Sequence, residues 1–393
     1  MFHVLMAAIY SGAFLAPSTV AQESDQQPAY AKYIVDETQA VMLMRPGAIM
    51  QDAFVKEVTT DHPELLQSLA SSFEGRFGVP FSSCSSFISA QLASVKIEGS
   101  DSDFSQSLMV AVFDRPIDPQ RVLTSNELTP EWEEITVEGG SYFRAKSTES
   151  DLPDFREPAF ETCCAFPAEN VYIETTEAKI RTVLSAGASD EWTKRLTAIP
   201  ADQLLVTIAG PKTLAEMITG VESVPGVPLG IAMHLPTLKK VQQVELALSF
   251  AGDDVVTLSL AARSAEEAVE IKGAADQLLN MVKQLAPTVF ATAPEGTITP
   301  AQQEMLMALL NSVTTSANGN MVAVALPQLN DEAERELIAY LGTTFKATEV
   351  ASATADKLSQ LQDIGIAVHN FHDVWGKLPP GDDEKGRDAN GRP

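Results

Sequence analysis

The chain is poor in cysteine, histidine and basic residues, and after its first residues it has no apolar run long enough to cross a bilayer. Each shortage removes a class of function. The three cysteines, Cys84, Cys163 and Cys164, form no C-x-x-C and no zinc-ligand spacing. A nucleophilic thiol needs a partner base, and no histidine lies near them in sequence. They read as buried thiols or as one disulfide, with Cys84 able to pair with either member of the vicinal pair. Of the five histidines, His3 lies in the leader, His62 sits beside Pro63 in a polar turn, and His234 lies shortly before Pro236 in a loop. That leaves little for histidine-based catalysis. Lys+Arg total 27 against 53 Asp+Glu, a formal charge of -26. Such acidity argues against nucleic acid and anionic membrane surfaces as partners.

Catalytic motifs are missing too. "AGPKT" follows a strand and opens a helix, but it lacks the glycine spacing of a phosphate or dinucleotide loop. Gly210-Pro211 therefore reads as a plain turn into a helix. "FSSCSS" is serine-rich, yet no G-x-S-x-G elbow occurs. The acidic pairs Glu133-Glu134 and Asp253-Asp254 read as surface or turn residues. No catalytic residue, metal site or cofactor is expected.

What is present begins with "MFHVLMAAIYSGAFLAPSTVAQESDQQ". An apolar stretch from Val4 to Pro17 is followed by the small residues Thr19-Val20-Ala21 and then a polar segment. This pattern reads as a signal peptide over residues 1–21, although no Lys or Arg precedes the apolar run. The run is shorter than the ~20 residues a spanning helix needs, so cleavage and an extracytoplasmic location, periplasmic or secreted, are expected with no membrane span afterwards. Hydrophobic residues make up 45% of 393 residues, enough for two or three cored domains.

Three strand-helix units recur in one order. "ETQAVMLMRPGAIMQDAFVKEV" matches "ADQLLVTIAGPKTLAEMITGV", with a strand at Leu204–Ile208 in the second copy. "SLMVAVFDRPIDPQRVL" matches "VVTLSLAARSAEEAVEI", and "ENVYIETTEAKIRTVLSAG" matches "NMVAVALPQLNDEAERELIAYLG". The pattern reads as a duplication, with halves at residues 30–187 and 189–342 and a Gly/Pro-rich loop, "GVESVPGVPLG", between them. "VQQVELALSFAGDDVVTLSLAA" is a hairpin signal: Val244, Leu246, Leu248 and Phe250 alternate, then Val256, Leu258 and Leu260 alternate back. The next helix opens with a capping box, Ser264 and Glu267. It carries Ala268, Ile271, Ala275, Leu278, Val282 and Leu285 on one stripe and is expected to stop at Pro287. The fold class expected is α+β: two duplicated domains of antiparallel sheet with helices on one face, plus a C-terminal helical tail.

The tail, residues 352–393, contains "LSQLQDIGIAVHNFHDVWGKLPPG". Thr354 is a good N-cap, and Leu358, Leu361, Gly365, Val368, His372 and Trp375 follow at helical spacing. His369 and His372 stand three apart; zinc proteases space theirs four apart around a Glu, so core or capping roles are expected here. Ile364-Gly365, Ala367, His369-Asn370-Phe371-His372, Trp375-Gly376 and Leu378-Pro379-Pro380 resemble the opening of the pseudopilin-like domain of unknown function abundant in planctomycetes. The resemblance covers about a tenth of the chain. In that family the segment follows a pilin-type apolar helix, whereas "TTFKATEVASATADK" precedes it here, which argues against a pilin subunit. The family continues into a strand beyond the Asn390-Gly391 turn, so an incomplete module is expected at the end of this chain. The resemblance brings no catalytic residues.

These readings converge on an exported, non-enzymatic structural or interaction protein with an unidentified protein or cell-envelope partner. The alternative is an extracytoplasmic ligand-binding protein with its site between the two halves. A metal-dependent enzyme using His369 and His372 is the weakest reading.

Overall fold

The structure is a computed structural model that describes residues 28–61, 64–96, 103–125, 131–137, 140–146, 162–185, 188–222, 229–249, 254–292 and 299–328. The expected signal peptide and pseudopilin-like tail lie outside the described residues.

Strand β1 (Thr38–Met44) leads into helices α1 (Pro46–Ile49), α2 (Ala53–Asp61) and α3 (Glu64–Phe77). Then come β2 (Cys84–Lys96), β3 (Asp103–Phe113), α4 (Pro119–Thr124), β4 (Trp132–Val137), β5 (Gly140–Ala145), β6 (Thr162–Ala168), β7 (Val171–Thr176) and α5 (Glu177–Ser185). The chain continues with α6 (Asp190–Thr197), β8 (Leu205–Ala209), α7 (Pro211–Glu222), α8 (Leu229–Ala232), α9 (Leu235–Leu238), β9 (Gln243–Leu248) and β10 (Asp254–Ala261). It ends with α10 (Ala265–Thr292), α11 (Pro300–Ser312), β11 (Thr314–Asn318) and β12 (Met321–Pro327). "GVESVPGVPLG" therefore falls inside the second half, running from the last residues of α7 to the first of α8, and not between the halves.

All of these strands join one 12-stranded sheet in the order β11-β12-β10-β9-β8-β1-β2-β3-β7-β6-β5-β4. The mixed α+β class and the antiparallel sheet are as expected. The separation into two sheets is not: β1 and β8 pair from Ala40↔Ala209 to Met44↔Leu205, so one ladder runs across the expected boundary. Outward from that pair the order is β2-β3-β7-β6 on one side and β9-β10-β12-β11 on the other. The strands of the three matched sequence units, β1 with β8, β3 with β10 and β7 with β12, thus occupy equivalent places on either side. The β9–β10 hairpin forms as expected, with Leu258 opposite Leu246 and Leu260 opposite Val244. A second hairpin turns at Gly319-Asn320, where Gly319 takes φ 56° so that Asn318 can face Met321.

Helices cover both faces, which corrects the one-face expectation. On one face Val41, Leu43, Ile88, Val110, Ile173, Val206 and Ile208 pack with Ile180 and Val183 of α5 and Trp192 and Leu196 of α6. On the other, Ala111, Phe113, Cys164 and Tyr172 pack with Phe73 and Phe77 of α3. Leu258, Leu260 and Val322 meet Ala268 and Ile271 of α10 farther along that face. Successive residues of a strand point to opposite faces, so consecutive apolar residues such as Val41-Met42-Leu43-Met44 require two covered faces.

Helix α10 opens with the first half of the expected capping box, and the return bond from Glu267 goes to Arg263 and not to Ser264. The Ser264 hydroxyl accepts from the Glu267 amide at 3.2 Å, and the Glu267 carboxylate accepts from the Arg263 amide at 3.2 Å. It does not stop at Pro287 but runs to Thr292. Pro287 is exposed, so the carbonyl that its missing N–H leaves unpaired can turn to water.

Trp192 stands over the central pair, 4% exposed, with its indole N–H donating to the Thr38 carbonyl at 3.1 Å. Because both halves share this ladder, we expect urea to unfold them in one transition by tryptophan fluorescence and far-ultraviolet dichroism. Trp192→Ala should cost about 3–5 kcal/mol of stability while keeping a single transition. Two separate transitions in the parent chain would overturn the coupling.

Candidate functional site

The described residues hold two partly buried polar clusters and one exposed apolar face. The first cluster lies under α3. Burial of this helix's aromatic side places Phe73 and Phe77 against Phe113, with ring centroids 5.8 and 5.2 Å apart. Phe77 meets Tyr172 edge-on at 5.2 Å, and Phe166 meets Tyr172 at 5.5 Å. Gly78, at φ 72°, ends the helix in the left-handed conformation, its amide donating to the Glu74 carbonyl at 2.8 Å. Arg76 lies over the rings of Phe77 and Tyr172 at 5.4 and 5.3 Å. It donates to the Tyr172 hydroxyl at 2.6 Å and pairs with Glu174, to which Tyr172 also donates. Burial first, then the Glu174 charge, pushes the Tyr172 hydroxyl far above its ordinary range. The cluster is a partly buried ion pair flanked by rings, with the phenol held as a donor.

The second cluster lies on the opposite face, where α5 begins. Glu177 is 9% exposed. Its carboxylate accepts from the Tyr142 hydroxyl at 2.9 Å, from Arg144 at 2.9 Å and from Arg181 at 3.1 Å. Arg144 reaches on to Glu133 at 2.7 Å. Burial alone would raise the Glu177 carboxyl, but the hydrogen bonds from Arg144 and Tyr142 outweigh it, and the net shift is downward. Elsewhere, half-buried Glu245 on β9 is raised by burial, which Arg195 of α6 only partly offsets.

The three cysteines are buried and none is in a disulfide. Cys163 and Cys164, adjacent on β6, point into the two different cores, and Cys84 shares the core of Cys164. Strands β3 and β7 lie between β2 and β6. At ~4.8 Å per strand the gap is about 14 Å, beyond the roughly 7 Å Cα separation that a disulfide can bridge. The disulfide considered from sequence is therefore not formed. Burial pushes the thiols of Cys84 and Cys164 up to about 12, the reverse of what a nucleophile needs. His234 is the N-cap of α9 without a side-chain capping bond. His62, Ile364, Gly365, His369, Asn370, Phe371, His372, Pro379 and Pro380 lie outside the described residues. Among the described residues no group of three His, Cys, Asp or Glu is placed to hold a metal ion, and no helix is long and apolar enough to cross a membrane.

The exposed face belongs to α10. Ala268, Ile271 and Ala275 are buried, but Val282 and Leu285 on the same sequence stripe are each 48% exposed and Val289 is 60% exposed. The stripe alternates steps of three and four residues, a 3.5-residue repeat, and on a straight helix such a line drifts ~20° per heptad. Over the last turns the side facing the protein carries Leu279 and Ala286 instead, and the seam turns outward. Met233, 67% exposed, follows α8, whose Gly230 lies so close to Met281 that a Cβ there would come 2.6 Å from the Met281 sulfur. From Gln277 to Pro294 there is no Asp or Glu and one Lys, in a chain of formal charge -26. Sequence periodicity identified the stripe; where it leaves the core depends on the sheet beneath it. The two polar clusters were missed, because each joins residues far apart in the chain. The Glu177–Arg181 spacing of four was the one local signal.

No family model matches the chain, and no match was found among curated proteins. A solved structure described as crystal form I of TP0453 is similar over 79% of this chain and 95% of that chain, at 10% identity and a TM-score of 0.36. A likeness of that degree carries no functional argument.

The Glu177 network makes a prediction about pH. A carboxyl whose folded pKa is lowered contributes stability that is full above its unfolded pKa and is lost as pH falls through the folded value. Glu177→Gln should lower the urea midpoint at neutral pH and flatten its decline on acidification through the carboxylate range. Parallel midpoint curves for parent and variant would overturn this role.

Proposed function

We propose that the chain is an exported, non-enzymatic interaction protein that uses the outward seam of α10 as its contact surface. The observation that carries this reading is the seam itself: Val282 and Leu285 stand 48% exposed and Val289 60% exposed on an acid-free stretch of a strongly acidic chain. Contiguous apolar surface of this kind is costly to leave in water and marks contact sites. The polar clusters support the same reading, because their charges are spent on one another. Burial holds the thiols of Cys84 and Cys164 protonated.

The extracytoplasmic location rests on the leader at residues 1–21, and the partial pseudopilin-like identity of residues 352–393 rests on the motif around His369 and His372. An internal duplication is supported by the matched sequence units and by the equivalent places of β1 and β8, β3 and β10, and β7 and β12 in the sheet. The reading with a ligand between the halves gains no such support, because β1 and β8 meet there in a hydrogen-bonded ladder.

The test is fractionation followed by sedimentation of the native extract. The mature chain should begin at Gln22, lie outside the cytoplasm and sediment faster than the free chain. Leu285→Glu, with unchanged far-ultraviolet dichroism, should return it to the sedimentation of the free chain. Unchanged sedimentation of that variant would remove the α10 seam as the contact surface.

A further inference from the structure

We propose that the outward seam of α10 pairs with the same seam of a second copy of this chain, the two helices lying antiparallel about a two-fold axis between Val282 and Leu285. This rests on the contact role assigned above and names the partner. The seam residues Leu278, Val282, Leu285 and Val289 follow at steps of four, three and four. In an antiparallel pair each first seam position faces a second one of the partner. Val282 then meets the other copy's Leu285, and Leu278 meets the other copy's Val289. The register gives four layers, each setting a leucine against a valine, and two-fold symmetry makes the surface its own complement. An axis between Leu278 and Val282 would set Ala275 and Ile271 against the partner, and both are buried in the chain's own core.

The seam also offers two acidic chains a contact without like charge. Two chains of formal charge -26 repel one another over most of their surfaces. The positions flanking the seam are Leu279, Met281, Ala286 and Thr288, all uncharged. Lys283 lies to the side, where it donates to the Asn311 carbonyl at 3.4 Å. Asp276, the nearest acid before the seam, is occupied by Lys272 and Thr315. Pro287 falls on the side of the helix away from the seam, so the break it makes in the hydrogen-bond ladder does not face the partner. The contact is continuous with the buried part of the stripe at Ala268, Ile271 and Ala275.

The purified full chain should show reversible, concentration-dependent dimerisation by sedimentation equilibrium. Leu285→Glu should abolish it, and Val269→Glu, at an exposed position 66% open on another side of the same helix, should leave it unchanged. The native thiols are buried and compete little with introduced cysteines. Oxidation of Val282→Cys/Leu285→Cys should therefore give a covalent dimer in high yield, and Leu285→Cys alone should link poorly. Efficient linking by Leu285→Cys alone would mean parallel pairing and would overturn the proposal. So would a chain that stays monomeric at every concentration. If the purified chain is monomeric while the native extract still contains a Leu285-dependent assembly, self-pairing fails and the contact role stands. If neither assembles, both fail.

Discussion

Five residue pairs between β1 and β8 decide the form of the whole molecule. Each of these strands is followed by a helical segment and a hairpin, and each set alone would leave an open edge of unpaired amides and carbonyls. Pairing the two edges removes both. The sheet then extends outward in matched order, and among the described residues its edge strands are β4 and β11. The ends are marked by different chemistry: β4 carries Glu133 and Glu134, and β11 is the polar run Thr314–Asn318. Charged or polar edges of this kind resist adding strands from other chains. Trp192 then closes the central pair from above by binding the Thr38 carbonyl.

Much of this was legible locally, and what was not has a common cause. The β9–β10 hairpin, β8, the opening of α10 and the strand-helix unit β7–α5 depend on neighbours within a few residues, so alternation, capping residues and Gly-Pro breaks were enough. The merging of the halves was not legible, because the β1–β8 contact joins Val41 to Ile208 across a long stretch of chain. Helices on both faces were in principle readable from Val41-Met42-Leu43-Met44 and from Leu108 to Phe113, where apolar residues occupy consecutive positions. The hairpin at Gly319-Asn320 had its turn signal in plain view, but Thr314–Asn318 carries no apolar alternation to mark a strand. The persistence of α10 beyond Pro287 reflects local exposure, which no propensity captures.

The candidate surface shows the same division. The stripe on α10 is a sequence property, but which part is buried depends on where a straight helix loses register with its own 3.5-residue repeat. The first turns use the stripe internally and the last turns release it. Tyr142 and Glu177, 35 residues apart, could meet only once β5 and α5 were placed by the sheet. Arg76 and Glu174 are farther apart still. Their charges therefore looked like ordinary surface residues in the sequence and prove to be the polar anchors of two helices.

The adjacent cysteines on β6 have a consequence for how this molecule could be watched in motion. One peptide bond separates two thiols that sit in different cores, one beneath α5 and α6 and the other beneath α3. Each is silent while its own layer stays shut. A pulse of alkylating reagent would therefore write the opening of the two layers onto neighbouring residues of a single peptide, and the order of labelling would tell which side of the sheet breathes first.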